Sequence, residues 1–514
     1  VKGSAENLES DLMEVLAEKG SAVKVIEETL MSGMETVGEY FAEGKMFLPQ
    51  VVKSARIMKE AVDILQPYIG EGGRQEEKAS VSRPKAVIAT VKGDVHDIGK
   101  NITAIVLTCN GFDVTDLGVM VDKEKIVDTA VRTGADIVGV SGLITPSLYQ
   151  MEEICREMAR RGLDLPLFIG GATTSALHTA VKLAPLYGHV FYGADASATA
   201  VMAKRYMADK EKFTEAEHRR QQEIRDMYAN KERRAVSAPP PAFPPESYLG
   251  TEELGVSSFP ARDIPADSLK EYFDWKLFFL ICRIKDTGSE AAAALKEEAV
   301  ERLGKMEREE GLKITAAYEF FGAWAEGETV HLEKDGVSFS IPMLRQEDAG
   351  RLKDGRPACL SLSDYVPQAS SGIKSVCGIF AVSADTSTRQ DLVGQAILDT
   401  LAEAASCMIE DQIRKGLKKD GMSVIRPAAG YPILPDHSVK ADILEHLKNP
   451  EKLGILLSDS YGMSPDASIC GMIFIHPEAH YHDIRHIGEE QFRSYCRARG
   501  LTEEQGRILL GHLA

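Results

Sequence analysis

No stretch of the 514-residue chain reaches the ~18 consecutive apolar residues that a membrane-spanning helix needs. The eight cysteines (109, 155, 282, 359, 377, 407, 470 and 496) are scattered, with neither a CxxC pair nor a Cys/His cluster. That spacing argues against a disulfide framework or a zinc site and suits the reduced thiols of a cytoplasmic protein. Basic residues are outnumbered: 60 Lys and Arg stand against 78 Asp and Glu, a net charge of −18, which disfavours general nucleic-acid binding. What is present is globular. Hydrophobic residues make up 44% and charged residues 27%, which excludes a disordered or fibrous chain. The length suggests roughly three or four domains. Val1 opens the sequence without an initiator Met or a signal peptide, as expected of a piece of a longer polypeptide.

Residues 1–70 are helical in pattern. Leu48, Val51, Ala55, Met58, Val62 and Leu65 recur every three or four residues, one apolar face of a helix in a small bundle. Residues 71–84 are polar and Gly-bearing, a linker. From Lys85 apolar runs at 86–91, 112–118, 136–142, 165–171 and 189–194 alternate with helix-length segments. This is the signature of an α/β doubly wound parallel sheet, here spanning 85–207. Residues 205–235 are densely charged, a solvated helix, and lead into the Pro-rich 237–246; 208–246 is expected to be a second linker. The remainder, 247–514, mixes helices (290–309, 388–416, 489–498) with strand-like runs such as VSFSIPML, GIFAV and GMIFI, an α+β domain.

The chemistry concentrates after the first strand of the middle domain, where the sequence reads Gly93-Asp94-Val95-His96-Asp97-Ile98-Gly99-Lys100-Asn101. Loops leaving the carboxyl ends of parallel strands hold the ligands of such sheets. His96 is the loop's one soft nitrogen donor, and Asp94 can accept from its second ring nitrogen, fixing the tautomer. Gly93 and Gly99 let the backbone approach a large flat ligand. Taken alone, Asp-x-His also fits a capping Asp beside a surface His. Its surroundings shift the balance: Ser141-Gly142-Leu143 with Thr145-Pro146-Ser147 closes the third strand, and Gly170-Gly171-Ala172 closes the fourth. A dinucleotide site is the competing idea, but neither GxGxxG nor a P-loop follows the first strand.

Asp-x-His-x-x-Gly followed by Ser-x-Leu and then Gly-Gly resembles the signature of corrinoid-dependent enzymes. The likeness extends further. EGKMFLPQVVKSARIMKEAVDILQPYI (43–69), VIATVKGDVHDIGKNI (87–102), SGLITPS (141–147), GGATTSALHTAVK (170–182), FDWKLFF (273–279), LAEAA (401–405), IRPAAGYP (425–432) and HPEAHY (476–481) resemble, in order, the C-terminal half of the cobalamin-dependent methionine synthases. The resemblance implies a cap, a cobalamin domain and an activation domain that binds S-adenosyl-L-methionine. It makes His96 the ligand of cobalt in cobalamin or methylcobalamin, with Asp94 and Ser147 continuing a proton relay. Gly93, Asp94, Val95, Asp97 and Gly99 would line the loop around the cofactor. Ser141 and Thr145 would contact its buried tail, Leu143, Gly170 and Gly171 belong to the loops lining the channel for that tail, and Ala196 would also contact the cofactor. Glu27, Phe41, Leu48 and Val51 match cap positions over the upper corrin face. The cap and the activation domain would then compete for that face.

In the last domain the resemblance assigns Arg426 to the carboxylate of S-adenosyl-L-methionine and Asp274 to its amino group, with Glu403 a further acidic contact. Ala428, Gly430, Tyr431, Tyr481 and His482 would line the same site. The chain departs from the family at His482, where a second Tyr is common, at Ser464 and Asp466, where Trp and Gly stand, and in a shortened segment between Lys415 and Ile425. The implied activity is methyl transfer from 5-methyltetrahydrofolate through cobalamin to homocysteine. Here only the shuttle and its reactivation are expected: no barrel precedes the cap, and no Cys cluster offers zinc. Implied partners are homocysteine- and methyltetrahydrofolate-binding modules and a one-electron reductase such as flavodoxin. The alternative from another class is a corrinoid carrier or sensor without methyltransferase activity.

Overall fold

A computed structural model describes residues 6–42, 46, 48–65, 67–68, 83–232, 238–282, 284, 286–388 and 390–513, with some side chains of the first 65 residues outside the description. The first linker, 71–84, therefore lies almost wholly outside the described residues.

The N-terminal region is helical: α1 (Leu8–Lys19), a π-helical stretch Val25–Leu30, α2 (Met31–Ala42) and α3 (Leu48–Leu65). Leu12, Val25, Ile26, Ala61 and Leu65 form its core. A second small cluster, Met34, Val37 and Val51 with Cys109, seats the bundle on the next domain.

That domain runs β1 (Lys85–Thr90), α4 (Ile98–Cys109), β2 (Asp113–Asp116), α5 (Lys123–Thr133), β3 (Ile137–Ser141), α6 (Pro146–Arg160), β4 (Leu167–Gly170), β5 (Val190–Tyr192) and α7 (Ala196–Ala208). The strands are parallel in the order β2-β1-β3-β4-β5. Helices cover both faces, so Ala86, Val87, Ile88 and Ala89 are all buried and β1 reads as a continuous apolar run instead of an alternating one. The order reverses between β1 and β3. In sheets of this topology the crevice for a ligand opens at that switch point.

The expected linker 208–246 is corrected by the structure in its described parts, 208–232 and 238–246. Its first part is α8 (Lys210–Glu232), which continues the domain. Phe213 is buried edge-on against Phe191 and Tyr206, Gln221 Nε2 donates to the Val190 carbonyl at 2.8 Å, and Arg225 Nη1 to the Ala180 carbonyl at 2.9 Å. The helix is charged because only a narrow inner face is covered. The Pro-rich stretch is also docked: Phe243 packs on His476 with ring centroids 4.5 Å apart.

The third domain contains β6 (Phe259–Asp263), α9 (Trp275–Ile281), α10 (Glu290–Glu309), β7 (Lys313–Glu326), β8 (Thr329–Lys334), β9 (Val337–Pro342), β10 (Ser375–Asp385), α11 (Leu392–Gly416), β11 (Ser423–Ile425), α12 (Val439–His446), β12 (Ser468–His476), α13 (Glu489–Arg499) and α14 (Glu503–Leu510). Its main sheet is antiparallel, ordered β11-β12-β10-β7-β8-β9 with β6 on β7. Helices α10 and α11 cover one face and α12 the other. Helix α11 is long and apolar enough to cross a membrane, but 78% of its apolar window is buried against the sheet, which accounts for its composition. Helix α14 packs against α6 of the middle domain.

Candidate functional site

The loop after β1 is fixed at both ends. Thr90 Oγ1 donates to the His96 carbonyl at 3.0 Å, and the Asp97 carbonyl accepts from the Asn101 N–H at 2.8 Å where α4 begins. Asp94 is fully buried at its centre. Its Oδ1 accepts from the His96 backbone N–H at 3.1 Å and sits 2.7 Å from the His96 Nδ1. Its Oδ2 accepts from Ser147 Oγ at 2.6 Å and from the backbone N–H groups of Leu143 at 2.6 Å and Ile144 at 3.3 Å. Burial by itself would raise the carboxyl pKa. The donors from His96, Ser147 and Leu143 outweigh it and bring the value to about 2. An ionised acceptor on Nδ1 means that Nδ1 carries a proton. Burial opposes a charged imidazole at His96, but the Asp94 hydrogen bond and charge prevail and its pKa is raised.

The His96 Nε2 makes no hydrogen bond among the described residues, and the ring lines a cavity of about 2300 Å³. One wall belongs to the middle domain: His96, Gly99, Ser141, Leu143, Gly170, Gly171 and Ala196 lie along a channel between the ends of β1, β3, β4 and β5 and the helices α4 and α7. The opposite wall belongs to the third domain and includes Asp274, Glu403, Arg426, Ala428, Tyr431, Tyr481 and His482. The structure thus brings both sets of expected residues to one space.

Other expected residues lie elsewhere. Asp94 and Ser147 sit beneath the ring as its supports. Gly93, Val95, Asp97 and Thr145 belong to the neighbouring loops but are not lining residues. Gly430 lies behind the wall: with φ +97° it packs on His437, and a Cβ there would come within 2.6 Å of the His437 Nε2. Val51 is buried against Cys109 on the flank of α4, and among the described residues the N-terminal bundle contributes Met46 to the lining. The side chains of Glu27, Phe41 and Leu48 lie outside the described residues.

Arg426 is held by acids. Its Nη2 donates to Glu403 Oε1 at 2.6 Å, its Nη1 to Ser406 Oγ at 2.6 Å and its Nε to Glu410 Oε2 at 3.0 Å, while its backbone N–H donates to the Tyr481 hydroxyl at 3.0 Å. Tyr431 and Tyr481 line the cavity and are 62% and 57% exposed. His482 is buried, its Nε2 has no partner, and burial pushes its pKa down to about 4, so the ring is neutral.

Reading the sequence missed several contributors. The Leu143 and Ile144 backbone N–H groups hold Asp94, which no residue-type signal reveals. Leu277, Leu280 and Ile281 of α9 form an apolar part of the wall, and Asp399 lies beside them, its carboxyl pushed by burial up to about 6. Lys100, buried and paired with Asp116 at 2.5 Å, pins α4 to β2; its place in the glycine-flanked loop was the available signal.

The donor set suits a corrinoid. An imidazole nitrogen, its ring oriented by a buried carboxylate, faces a cavity far larger than the ~300–1,000 Å³ of an ordinary small-molecule site. The Thr145 hydroxyl beside it is buried and unpartnered. Family models agree: "B12 binding domain" matches residues 84–201, a second model of that description matches 1–66, and "Vitamin B12 dependent methionine synthase, activation domain" matches 265–500. Three solved structures are similar in part. The MetH reactivation domain bound to AdoHcy is 24% identical and covers 54% of this chain and 99% of its own, with a TM-score of 0.48. The methanol:cobalamin methyltransferase complex of Methanosarcina barkeri is 25% identical over 40% and 76%, with a TM-score of 0.36. A cobalamin-binding protein from Desulfitobacterium hafniense is 30% identical over 39% and 96%, with a TM-score of 0.30. Fold, site and family models together define a multidomain vitamin-B12-binding protein. Its domains, in this order, place the chain in the vitamin-B12-dependent methionine synthase family, as the C-terminal half.

Proposed function

We propose that this chain serves methionine synthesis, in which a methyl group passes from 5-methyltetrahydrofolate by way of cobalamin to homocysteine. Its own step is the reductive restoration of the cofactor with S-adenosyl-L-methionine and an electron from a reductase such as flavodoxin. The observation that carries this reading is the single cavity with His96 on one wall and the Arg426 group on the other. Cobalamin, when bound, supplies a cobalt centre able to take up and give away a methyl group. His96 would hold the cobalt through Nε2 while Asp94 keeps the proton on Nδ1. Ser147 shares the Asp94 carboxylate, so a proton leaving the imidazole has a hydrogen-bonded acceptor. The channel beneath takes the cofactor's tail.

On the facing wall, Arg426 would pair with the carboxylate of S-adenosyl-L-methionine and Asp274 with its amino group. Asp274, Asp399, Glu403 and Asp466 outnumber Arg426 and Lys276 around the same space, a field that favours a cationic sulfonium ligand. Tyr431 and Tyr481 offer ring faces to the same charge. Leu277, Leu280 and Ile281 give the same wall an apolar stretch. The homocysteine and folate steps would be performed by modules outside these residues, and a cytoplasmic setting suits the free thiols.

The test is incubation of the full chain with cob(II)alamin, a one-electron reductant and methyl-labelled S-adenosyl-L-methionine. Label appearing on the bound corrinoid supports the reading. Label that binds but stays on the sulfonium compound would refute it and leave a corrinoid carrier.

A further inference from the structure

The middle and third domains meet at a direct protein–protein contact. A two-residue antiparallel ladder, Leu456–Leu457 with Met463–Ser464, presents the turn 458–462 to the His96 loop. Ser458 Oγ donates to the Gly93 carbonyl at 3.1 Å and accepts from the Gly462 N–H at 3.0 Å. Gly93 has φ +77°, and a Cβ on it would lie 2.7 Å from the Ser460 Cβ. The space beside Gly93 is therefore filled by the third domain's Ser460. On the other side, Gly462 approaches the Gly93 carbonyl and the Ile144 side chain. Ile144 is one of the residues whose N–H holds Asp94.

The turn is rigid in its own right. Ser458 N–H donates to the Gly462 carbonyl at 2.8 Å, Tyr461 N–H to the Ser458 carbonyl at 2.9 Å, and Tyr461 adopts φ +59°. Behind it Lys440, 3% exposed, donates to the Tyr461 carbonyl at 3.0 Å and lies 2.8 Å from the His437 Nδ1. A buried lysine aimed at a turn carbonyl is a brace, since a charge is retained in a dry interior only where it is bonded.

We propose that the turn 458–462, braced by Lys440, is a latch that docks the third domain onto the His96 loop by fitting the side-chain-free surface of Gly93. Glycine at 93 answers a protein partner as well as any cofactor. The latch grips both loops that carry the Asp94 network, so docking and the support of His96 share the same backbone. It stands on this docked geometry whatever ligand the cavity holds.

Hydrogen exchange by mass spectrometry on the full chain, with no ligand added, tests it. The wild type should protect 92–97, 143–147 and 458–462. Ser460→Phe should speed exchange in all three on the order of tenfold, the scale of one local opening, while β10 and β12 stay protected. Ser458→Ala should move them in the same direction by less. Gly93→Ala should match Ser460→Phe, and Gly93→Ala with Ser460→Gly should regain much of the protection, leaving the strain of alanine at positive φ. Unchanged exchange at 92–97 in Ser460→Phe, no joint protection in the wild type, or no recovery in the double variant would each overturn the latch.

Discussion

Replacing Asp94 with Asn changes one atom and reverses a hydrogen bond. The wild-type carboxylate accepts everything around it: two side-chain donors, His96 and Ser147, and the N–H groups of His96, Leu143 and Ile144. An amide can keep its oxygen toward Leu143 and Ser147, but must then turn its NH₂ toward His96. The imidazole answers by accepting at Nδ1 and carrying its proton on Nε2, the atom that faces the cavity. A protonated Nε2 has no lone pair for a metal. Loss of such a support typically costs 10–100-fold in metal affinity, about 1.4–2.7 kcal/mol. The carboxyl's fall from 3.8 to about 2 corresponds to roughly 2 kcal/mol of folded-state stabilisation. A depressed carboxyl stabilises above its unfolded pKa, so the stability gap between wild type and Asp94→Asn should close as pH falls from about 4 toward 2. The raised His96 pKa has the opposite sign: its pairing with Asp94 is fully present below the ordinary histidine value and is lost as pH rises through the folded-state value. Nitrogen-15 NMR of the imidazole, without cofactor, is the assay. At a pH above the raised His96 pKa, the account predicts a neutral ring protonated on Nδ1 in the wild type and, in Asp94→Asn, a neutral ring protonated on Nε2 with a lower pKa. An unchanged tautomer and an unchanged or higher pKa would refute the reasoning.

Three further outcomes follow from the packing and the Arg426 group. Phe213→Ala should destabilise the B12-binding domain by about 3–5 kcal/mol in chemical denaturation, because α8 is part of its core; an effect within error would restore the helix to a free tether. Gly171→Ala places a Cβ 2.8 Å from the Gly142 carbonyl carbon at φ +124°, and should cost on the order of 2 kcal/mol or more by the same assay, with near-neutrality counting against the close approach of these two loops. Arg426→Ala should weaken S-adenosyl-L-methionine binding, measured by calorimetry, by roughly ten- to a hundredfold, as expected for losing a charge-assisted pair. Unaltered affinity would remove Arg426 from the site.

How much was legible in the chain varied with how local the signal is. The inner parallel strands announced themselves because burial on both faces makes them apolar runs such as AVIATV, whereas β2 (DVTD) at the sheet edge is half-exposed and reads as a strand mainly by its place in the alternation. Helix α8 was legible as a helix but not as part of a domain. Its anchoring rests on Phe213, Gln221 and Arg225 among many charges, too sparse a face to read as core. The third domain's strand order was not legible, since β7 pairs with β10 some sixty residues later and with β8 at once, a choice no local pattern encodes. In the site, His96, Asp94 and Ser147 follow from residue chemistry and the family resemblance, but the backbone donors of Leu143 and Ile144 exist only once two loops are folded together. Gly93 and Gly430 show the same limit. Both read as glycines serving a ligand, yet one faces Ser460 and the other His437.

The central claim is that His96 is the protein's ligand to the cobalt of bound cobalamin, and the visible spectrum of the loaded full chain addresses it most directly. The wild type should show the absorption bands of an imidazole-ligated corrinoid, and His96→Gly should bind the cofactor with bands shifted to those of the form lacking a lower nitrogen ligand. Identical spectra for the two proteins would contradict the account.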